Sequence, residues 1–322
     1  MQILMLYTAM PHTTAQYLDR ALREVAQVKA CGPTISPGNL RQWDLEVLAD
    51  RVRPHEVTCR SVSEREVREG MPGFHPDWIL FVESGIWFEM PVLDEISVPK
   101  ACYLIDTHLF PAEHLAIASR FDVIFLAQKS YVELFRERLG KPVYWLPLAA
   151  DPQIHRPTKS QELFDVGICA SGSTRPDRRS RRLARLEIHY SVGKKRLFLE
   201  EMSRFLSSSR LLFNSAVKDD LNMRVFESMA IGKCLLTDPV PGLTDLFVPD
   251  VDLVLYDDSD LVEKVQFLLD HPEIREKIAA TGRRKILNRH TYRHRARSIV
   301  RILADHPGVM RKGEEHVAYS HV

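Results

Sequence analysis

Short apolar runs bounded by turn residues alternate along this chain with longer stretches of helical period, and that alternation constrains the fold most strongly. A strand that is apolar throughout must be covered on both faces. A helix between two such strands returns the chain so that they pair in parallel. In the first half the pattern predicts strands at 3–8, 28–31, 78–83, 101–106, 122–127 and 143–146, with helices at 15–25 and 130–139. Residues 40–52 look helical, and 57–60 reads as a short strand. Pro147, Pro152 and Pro157 then interrupt the pattern in a mostly polar stretch, which suggests an interdomain linker. A second series follows, with strands at 165–169, 211–214, 234–237 and 252–256 and helices at 176–187, 195–208, 222–231 and 259–270. Helices at 272–288 and 291–304 close the pattern. The fold class is therefore α/β, with two doubly wound domains facing across a cleft where the carboxyl ends of their strands can hold a ligand. The expected boundaries are 1–150, a linker at 151–161, 162–290, a helix at 291–305 and a loose tail at 306–322.

A chain of 322 residues suffices for two such cores, and 45% hydrophobic with 27% charged residues describes a globular protein. No apolar run approaches the ~20 residues of a spanning helix. The start, Met-Gln-Ile-Leu-Met-Leu-Tyr, lacks the features of a signal peptide and reads as a buried strand. Five scattered cysteines without a C-x-x-C pair suggest reduced, packed thiols and a cytoplasmic setting. Residues 1–155 hold 15 Lys and Arg against 20 Asp and Glu, whereas 156–322 hold 29 against 23. The second half is thus the one suited to an anion.

Its most informative segment is 219–232, Asp-Asp-Leu-Asn-Met-Arg-Val-Phe-Glu-Ser-Met-Ala-Ile-Gly. Asn222 is placed to cap a helix that begins near Met223 and ends at Gly232. Unpaired N–H groups and partial positive charge make such a helix start an anion site. Asp219 stands just outside it and Glu227 one turn in, where carboxylates accept hydrogen bonds from hydroxyls. A ligand with both phosphates and hydroxyls is a nucleotide sugar. Arg224 shares a face with Glu227, which fits either a structural salt bridge or a polar ligand site.

Two other constellations carry chemistry. The small-residue turn Ala-Ser-Gly-Ser after the 165–169 strand, with Ser171 and Gly172, lets backbone N–H groups approach a phosphate. Six arginines lie between 175 and 185, and Arg178 or Arg179 has the reach to grip a diphosphate while most of the others are solvated. The run lacks interleaved aromatics, so no specific nucleic acid is expected as partner. At the end of the 101–106 strand, Asp106 and His108 form a candidate acid–base pair, the alternative being a structural strand-end pair. His12 and Glu83, at other strand ends, are candidates for the acceptor side. No metal set is evident near them, and G-x-S-x-G, H-E-x-x-H and Walker motifs are absent.

The run from Lys218 to Asp238 resembles the donor segment of group 1 glycosyltransferases, and more narrowly a spore-maturation-protein-like branch. Asp245-Leu-Phe, Val254-Leu-Tyr-Asp, Arg289-His-Thr-Tyr-Arg-His-Arg, Ile105-Asp-Thr-His, Ala127-Gln-Lys and Trp145-Leu-Pro-Leu-Ala-Ala-Asp share the likeness. It touches most of residues 100–303. The resemblance implies a GT-B fold, two Rossmann-like domains with a C-terminal helix crossing back to the first. It implies sugar transfer from a nucleotide-diphosphate sugar without cofactor or metal, with retention of anomeric configuration. It places Asp219 near the donor sugar, Glu227 on the ribose, Asn222 and Met223 under the diphosphate, and Ser171 and Gly172 in the adjoining loop. Asp219 departs from the family's usual Glu, and Thr-Ala-Met-Pro-His-Thr-Thr at 8–14 replaces the usual Gly-rich loop. The acceptor is then a glycan, a polyanion or a membrane-linked molecule, reached from the cytoplasm or at the inner membrane surface. The competing expectations are a non-catalytic nucleotide- or glycan-binding module and an interaction protein using its basic helices.

Overall fold

The structure, a computed structural model, describes residues 1–58, 65, 69–84, 97–170 and 177–306. The chain divides into two compact units. One comprises residues up to Leu146 together with those from Arg293 onward, the other Pro147–Tyr292.

In the first unit the apolar runs form β1 (Gln2–Leu6), β2 (Gln27–Gly32), β3 (Val57–Thr58), β4 (Trp78–Val82), β5 (Lys100–Leu104), β6 (Val123–Leu126) and β7 (Val143–Trp145). All neighbours pair in parallel in the order β3-β2-β1-β4-β5-β6-β7. Strand order reverses between β1 and β4, where open α/β sheets leave a crevice at the carboxyl ends. Leu4, Leu6, Ile79, Phe81, Cys102, Leu104, Ile124 and Leu126 pack one core against Phe121 and Phe135. The stretch 40–52 is not one helix. A short helix, Pro37–Gln42, and a tight turn of helix, Glu46–Arg51, are separated by Asp44 at φ 56°, a left-handed conformation that Asp tolerates better than most residues. A helix absent from the sequence expectation, Pro111–Ala118, connects β5 to β6. It buries only His114 and Ala118, so it carries no apolar stripe to read.

The second unit contains β8 (Phe164–Cys169), β9 (Val192–Lys195), β10 (Ser209–Phe213), β11 (Cys234–Thr237) and β12 (Val254–Leu255), parallel in the order β12-β11-β10-β8-β9. Here the order reverses between β8 and β10. The pattern had passed over β9, whose Val-Gly-Lys-Lys is an edge strand, and edge strands favour lysine because it discourages further pairing. Both units thus have Rossmann-like parallel sheets.

The polar, proline-rich stretch expected as a linker is instead packed into the second unit. Leu148, Ala149, Ala150, Asp151, Ile154 and His155 are buried. Ala150 N–H donates to the His290 carbonyl at 3.1 Å, Tyr292 N–H returns to the Ala150 carbonyl at 3.1 Å, and Ser203 Oγ donates to the Ile154 carbonyl at 2.9 Å. These bonds satisfy a backbone that forms no regular element. The helix Pro272–Arg289 packs against β11 and the helix Met223–Ile231. It comes so close to the chain at Asp252 that a Cβ on Gly282 would stand 2.2 Å from the Asp252 carbonyl oxygen.

Among the described residues no helix is long and apolar enough to cross a membrane. The side chains of Cys31, Cys102, Cys169 and Cys234 are buried.

Candidate functional site

The helix Met223–Ile231 follows β10, one of the two strands at the second sheet's switch point. Asn222 is its N-cap, extended at φ −75° and ψ 163°, but its side chain makes no capping bond. Asn222 Oδ1 is buried without a hydrogen-bond partner. Gly232 ends the helix at φ 82°, where a side chain would be strained.

Inside this helix Glu227 is only 3% exposed, and each of its oxygens meets a different cation or ring. Arg224 Nη1 lies 2.8 Å from Oε2, and His155 Nε2 lies 3.1 Å from Oε1. Burial pushes the Glu227 pKa up, but the Arg224 guanidinium and then His155 more than offset it and hold it down to about 2. Glu227 is therefore a charged carboxylate in a dry setting. Arg224, beside Met202 Sδ and half-buried, is the side chain with which sequence spacing had paired it.

His155 was not foreseen, because nothing distinguishes a lone histidine in a proline-rich polar stretch. It is fully buried. Asp151 N–H donates to its Nδ1 at 3.0 Å, so the ring's N–H is Nε2, the atom facing Glu227. The contact is close but off-line, since the ring N–H does not aim straight at the oxygen. The turn that carries it is fixed by Gln153 N–H to Asp151 Oδ1 at 2.9 Å and His155 N–H to the Asp151 carbonyl at 2.7 Å.

The other expected residues sit as follows. Asp219 is exposed and, with Lys218, has left-handed backbone at φ 58° and 48°. Met223 is half-buried and its Sδ accepts from Tyr292 Oη at 3.0 Å. Arg178 is exposed, 3.9 Å from Asp258, and Arg179 lies 4.0 Å from Asp177, the carboxylate that caps the helix Arg178–Glu187 through Ser180. Ser171 and Gly172 lie outside the described residues.

Among the described arginines of this run, Arg182 is the buried one, at 2% exposure. Its Nη1 reaches Asp238 Oδ2 at 2.7 Å and Ser215 Oγ at 2.9 Å, its Nε reaches Asp258 Oδ1 at 2.5 Å, and its guanidinium stacks 4.9 Å from the Tyr256 ring centre. Asp238 Oδ1 in turn accepts from Ala216 N–H at 2.9 Å. Burial pushes the Tyr256 hydroxyl's pKa far up, so it stays protonated and donates to the Asn214 carbonyl at 2.8 Å. The network ties the carboxyl ends of β10, β11 and β12 together and fixes the start of the loop that leads to Asn222.

In the first unit a second polar cluster gathers at the ends of β4, β5 and β6. Glu83 Oε2 accepts from the Ile105 and Asp106 N–H groups at 2.7 and 3.1 Å and lies 3.4 Å from His114 Nε2. Thr107 Oγ1 is 3.1 Å from His114 Nδ1, and Gln128 Oε1 accepts from Thr107 N–H at 3.3 Å. Glu83 thus holds the turn that carries Asp106 and His108. Asp106 is half-buried and its carbonyl accepts from Leu109 and Phe110 N–H, while His108 is 9% exposed. His12 is half-buried between β1 and the helix Thr14–Leu22. Among the described residues no three His, Cys, Asp or Glu side chains group as metal ligands do.

Residues 175–301 match a family model described as glycosyl transferase-like. No curated protein matches the chain. Solved structures match nearly its full length. HepE of Anabaena in complex with UDP-glucose has TM-score 0.64 and 11% identity, covering 95% of this chain and 100% of that one. Sucrose-phosphate synthase of Thermosynechococcus elongatus has TM-score 0.61 and 11% identity over 95% and 99%. A glycosyltransferase from Rickettsia africae has TM-score 0.62 and 9% identity over 97% and 99%. At such identities the likeness is one of fold, and the fold is the GT-B fold of glycosyltransferases.

Proposed function

We propose that this chain is a glycosyltransferase that moves a sugar from a nucleotide-diphosphate donor to an acceptor. The observation that carries the reading is Glu227, a charged and buried carboxylate one turn into the helix that starts beside the switch point of the second sheet. Burying a charge is costly, and an ionised carboxylate keeps lone pairs beyond those engaged by Arg224 and His155. Ribose hydroxyls are donors suited to them. The Asn222–Met223 helix start supplies N–H groups for the diphosphate, with Arg224, Arg178, Arg179, Ser171 and Gly172 as its further contacts. Such donors stabilise the negative charge that builds on the leaving diphosphate, and this is the electrostatic contribution to catalysis. Asp219 is assigned to the donor sugar, and Asp106 and His108 to acid–base work on the acceptor, with His12 and Glu83 on the acceptor side. Transfer with retention and without a metal completes the reading.

The segments Ile105-Asp-Thr-His and Trp145-Leu-Pro-Leu-Ala-Ala-Asp support the spore-maturation-protein-like branch. The UDP-glucose in the HepE structure makes UDP-hexoses the first donors to try. A glycan, polyanionic or membrane-linked acceptor in the cytoplasm or at the inner membrane surface fits the basic second half. The test is a thermal-shift screen against UDP-, GDP-, dTDP- and CMP-sugars, because a ligand that binds the folded state raises its midpoint. A rise with one donor class is expected, and no rise with any of them overturns the proposal.

A further inference from the structure

We infer that the cleft between the helix Pro272–Arg289 and the turn at Gly232 is a second binding site, built from none of the residues assigned to the donor, and that its ligand is a phosphate monoester with a hydroxyl-bearing body. The inference goes beyond the glycosyltransferase reading and does not depend on it.

The cleft has a volume of about 490 Å³, within the range of about 300–1,000 Å³ that small ligands occupy. Its long wall is one face of the helix, because Glu276, Ala280, Arg283 and Leu287 follow one another at spacings of three and four residues. Gly232 and Pro157 close the inner side. A Cβ on Gly232 would stand 2.9 Å from Arg283 Cδ and 3.4 Å from Pro157 Cγ, so the arginine stem lies directly over the glycine. Arg283 Nε donates to the Ala230 carbonyl at 3.2 Å, one of the carbonyls that the end of the helix Met223–Ile231 leaves without a partner in the helix. That bond fixes the half-buried side chain and leaves the donors of both Nη atoms for a ligand. Arg284 lines the same cleft, is exposed, and among the described residues has no carboxylate partner. Two guanidiniums and the Asn288 amide offer more donors than one carboxylate can engage, and they suit the three oxygens of a phosphate monoester. Glu276 lies about 12 Å along the axis from Arg284, at ~1.5 Å per residue. Its carboxylate repels a second anion and accepts from hydroxyls, so the ligand carries its charge at one end and hydroxyls at the other. The small side chains of Ala279 and Ala280, between those ends, leave room for a body the size of a sugar.

The experiment titrates ribose 5-phosphate, ribose and inorganic phosphate by calorimetry into the wild-type chain, Arg284→Ala and Lys277→Ala. Each titration is run with and without excess UDP and GDP, which fill the donor site. The wild type should bind ribose 5-phosphate more tightly than inorganic phosphate, should not bind ribose measurably, and should do so whether or not the nucleotides are present. Arg284→Ala should weaken that binding by about 10-fold, the scale of one lost hydrogen bond to a charged group. Lys277 is exposed on the same helix but outside the cleft, and Lys277→Ala should bind as the wild type does. No binding of ribose 5-phosphate overturns the inference, as does equal binding by Arg284→Ala. An equal loss in Lys277→Ala overturns it too, because the attraction is then that of any basic helix for an anion. Displacement by UDP or GDP would place the ligand in the donor site, and inorganic phosphate binding as tightly would remove the hydroxyl-bearing body. If Arg284→Ala does not fold, Arg284→Lys replaces it. This variant keeps the charge without the planar fork, so it should still bind more weakly than the wild type, and unchanged affinity overturns the assignment.

Discussion

Arg182 Nη1 and Asp238 Oδ2 form a buried ion pair at 2.7 Å, with each side chain 2% exposed, that joins the helix after β8 to the end of β11. Removing one partner of a buried pair leaves the other charge unmatched and costs about 3–5 kcal/mol. Arg182→Met should lower the free energy of unfolding by that order, measured by urea denaturation. A loss well under 1 kcal/mol would show that the network is not held as described.

Glu227→Ala should weaken nucleotide binding by about 1–3 kcal/mol, the usual cost of deleting one partner of a buried polar contact. Calorimetric titration with the donor found by thermal shift measures it. Unchanged affinity removes Glu227 from the site.

The same carboxylate makes stability depend on acid. Its folded pKa of about 2 lies below the ordinary 4.5, so its charge stabilises the fold fully above about pH 4.5, and the contribution is lost as pH falls toward about 2. In Glu227→Gln that loss is absent. Urea stability should therefore fall less steeply for the variant than for the wild type across this window, and equal slopes would contradict a depressed pKa.

Gly282→Ala puts a methyl group 2.2 Å from the Asp252 carbonyl oxygen, a backbone atom that cannot rotate away. Overpacking of this kind costs about 1–3 kcal/mol. Alanine is otherwise the better helix former by about 1 kcal/mol, so a stabilised variant would mean that the helix moves off the 252 backbone freely.

His108→Ala should lower transfer by about 10²-fold or more if His108 works as a general base. Initial rates at saturating donor and acceptor are the measurement, with the thermal midpoint as a check on folding. Full activity at an unchanged midpoint assigns His108 to the wall of the turn that Glu83 holds.

The elements legible from the residues were those whose burial is two-sided. β4 is an unbroken apolar run, β11 is buried at every position, and the sequence pattern located β11 to the residue. β9 and the helix Pro111–Ala118 were not legible, because each buries too little of itself to leave a periodic trace. The helix Met223–Ile231 was readable from its two ends and from the three-residue spacing of Arg224 and Glu227. The partners set by tertiary folding were not. His155 comes to Glu227 from a segment that looks like a linker, and Arg182 was hidden among arginines that share its helix. Arg182 stands one turn before the buried Leu186, but Arg179 stands one turn before the buried Leu183, so spacing alone does not separate the two.

The contact between Ala150 and Thr291 has a consequence for how the chain can be cut. It brings the two ends of the second unit side by side, while the residues before and after that unit belong together in the first. In topology the second unit is an insert spliced into the first, with neighbouring entry and exit points. Separating the two by a single cut is impossible, whereas residues 147–292 can be excised as one piece or exchanged for another parallel-sheet unit whose termini meet in the same way.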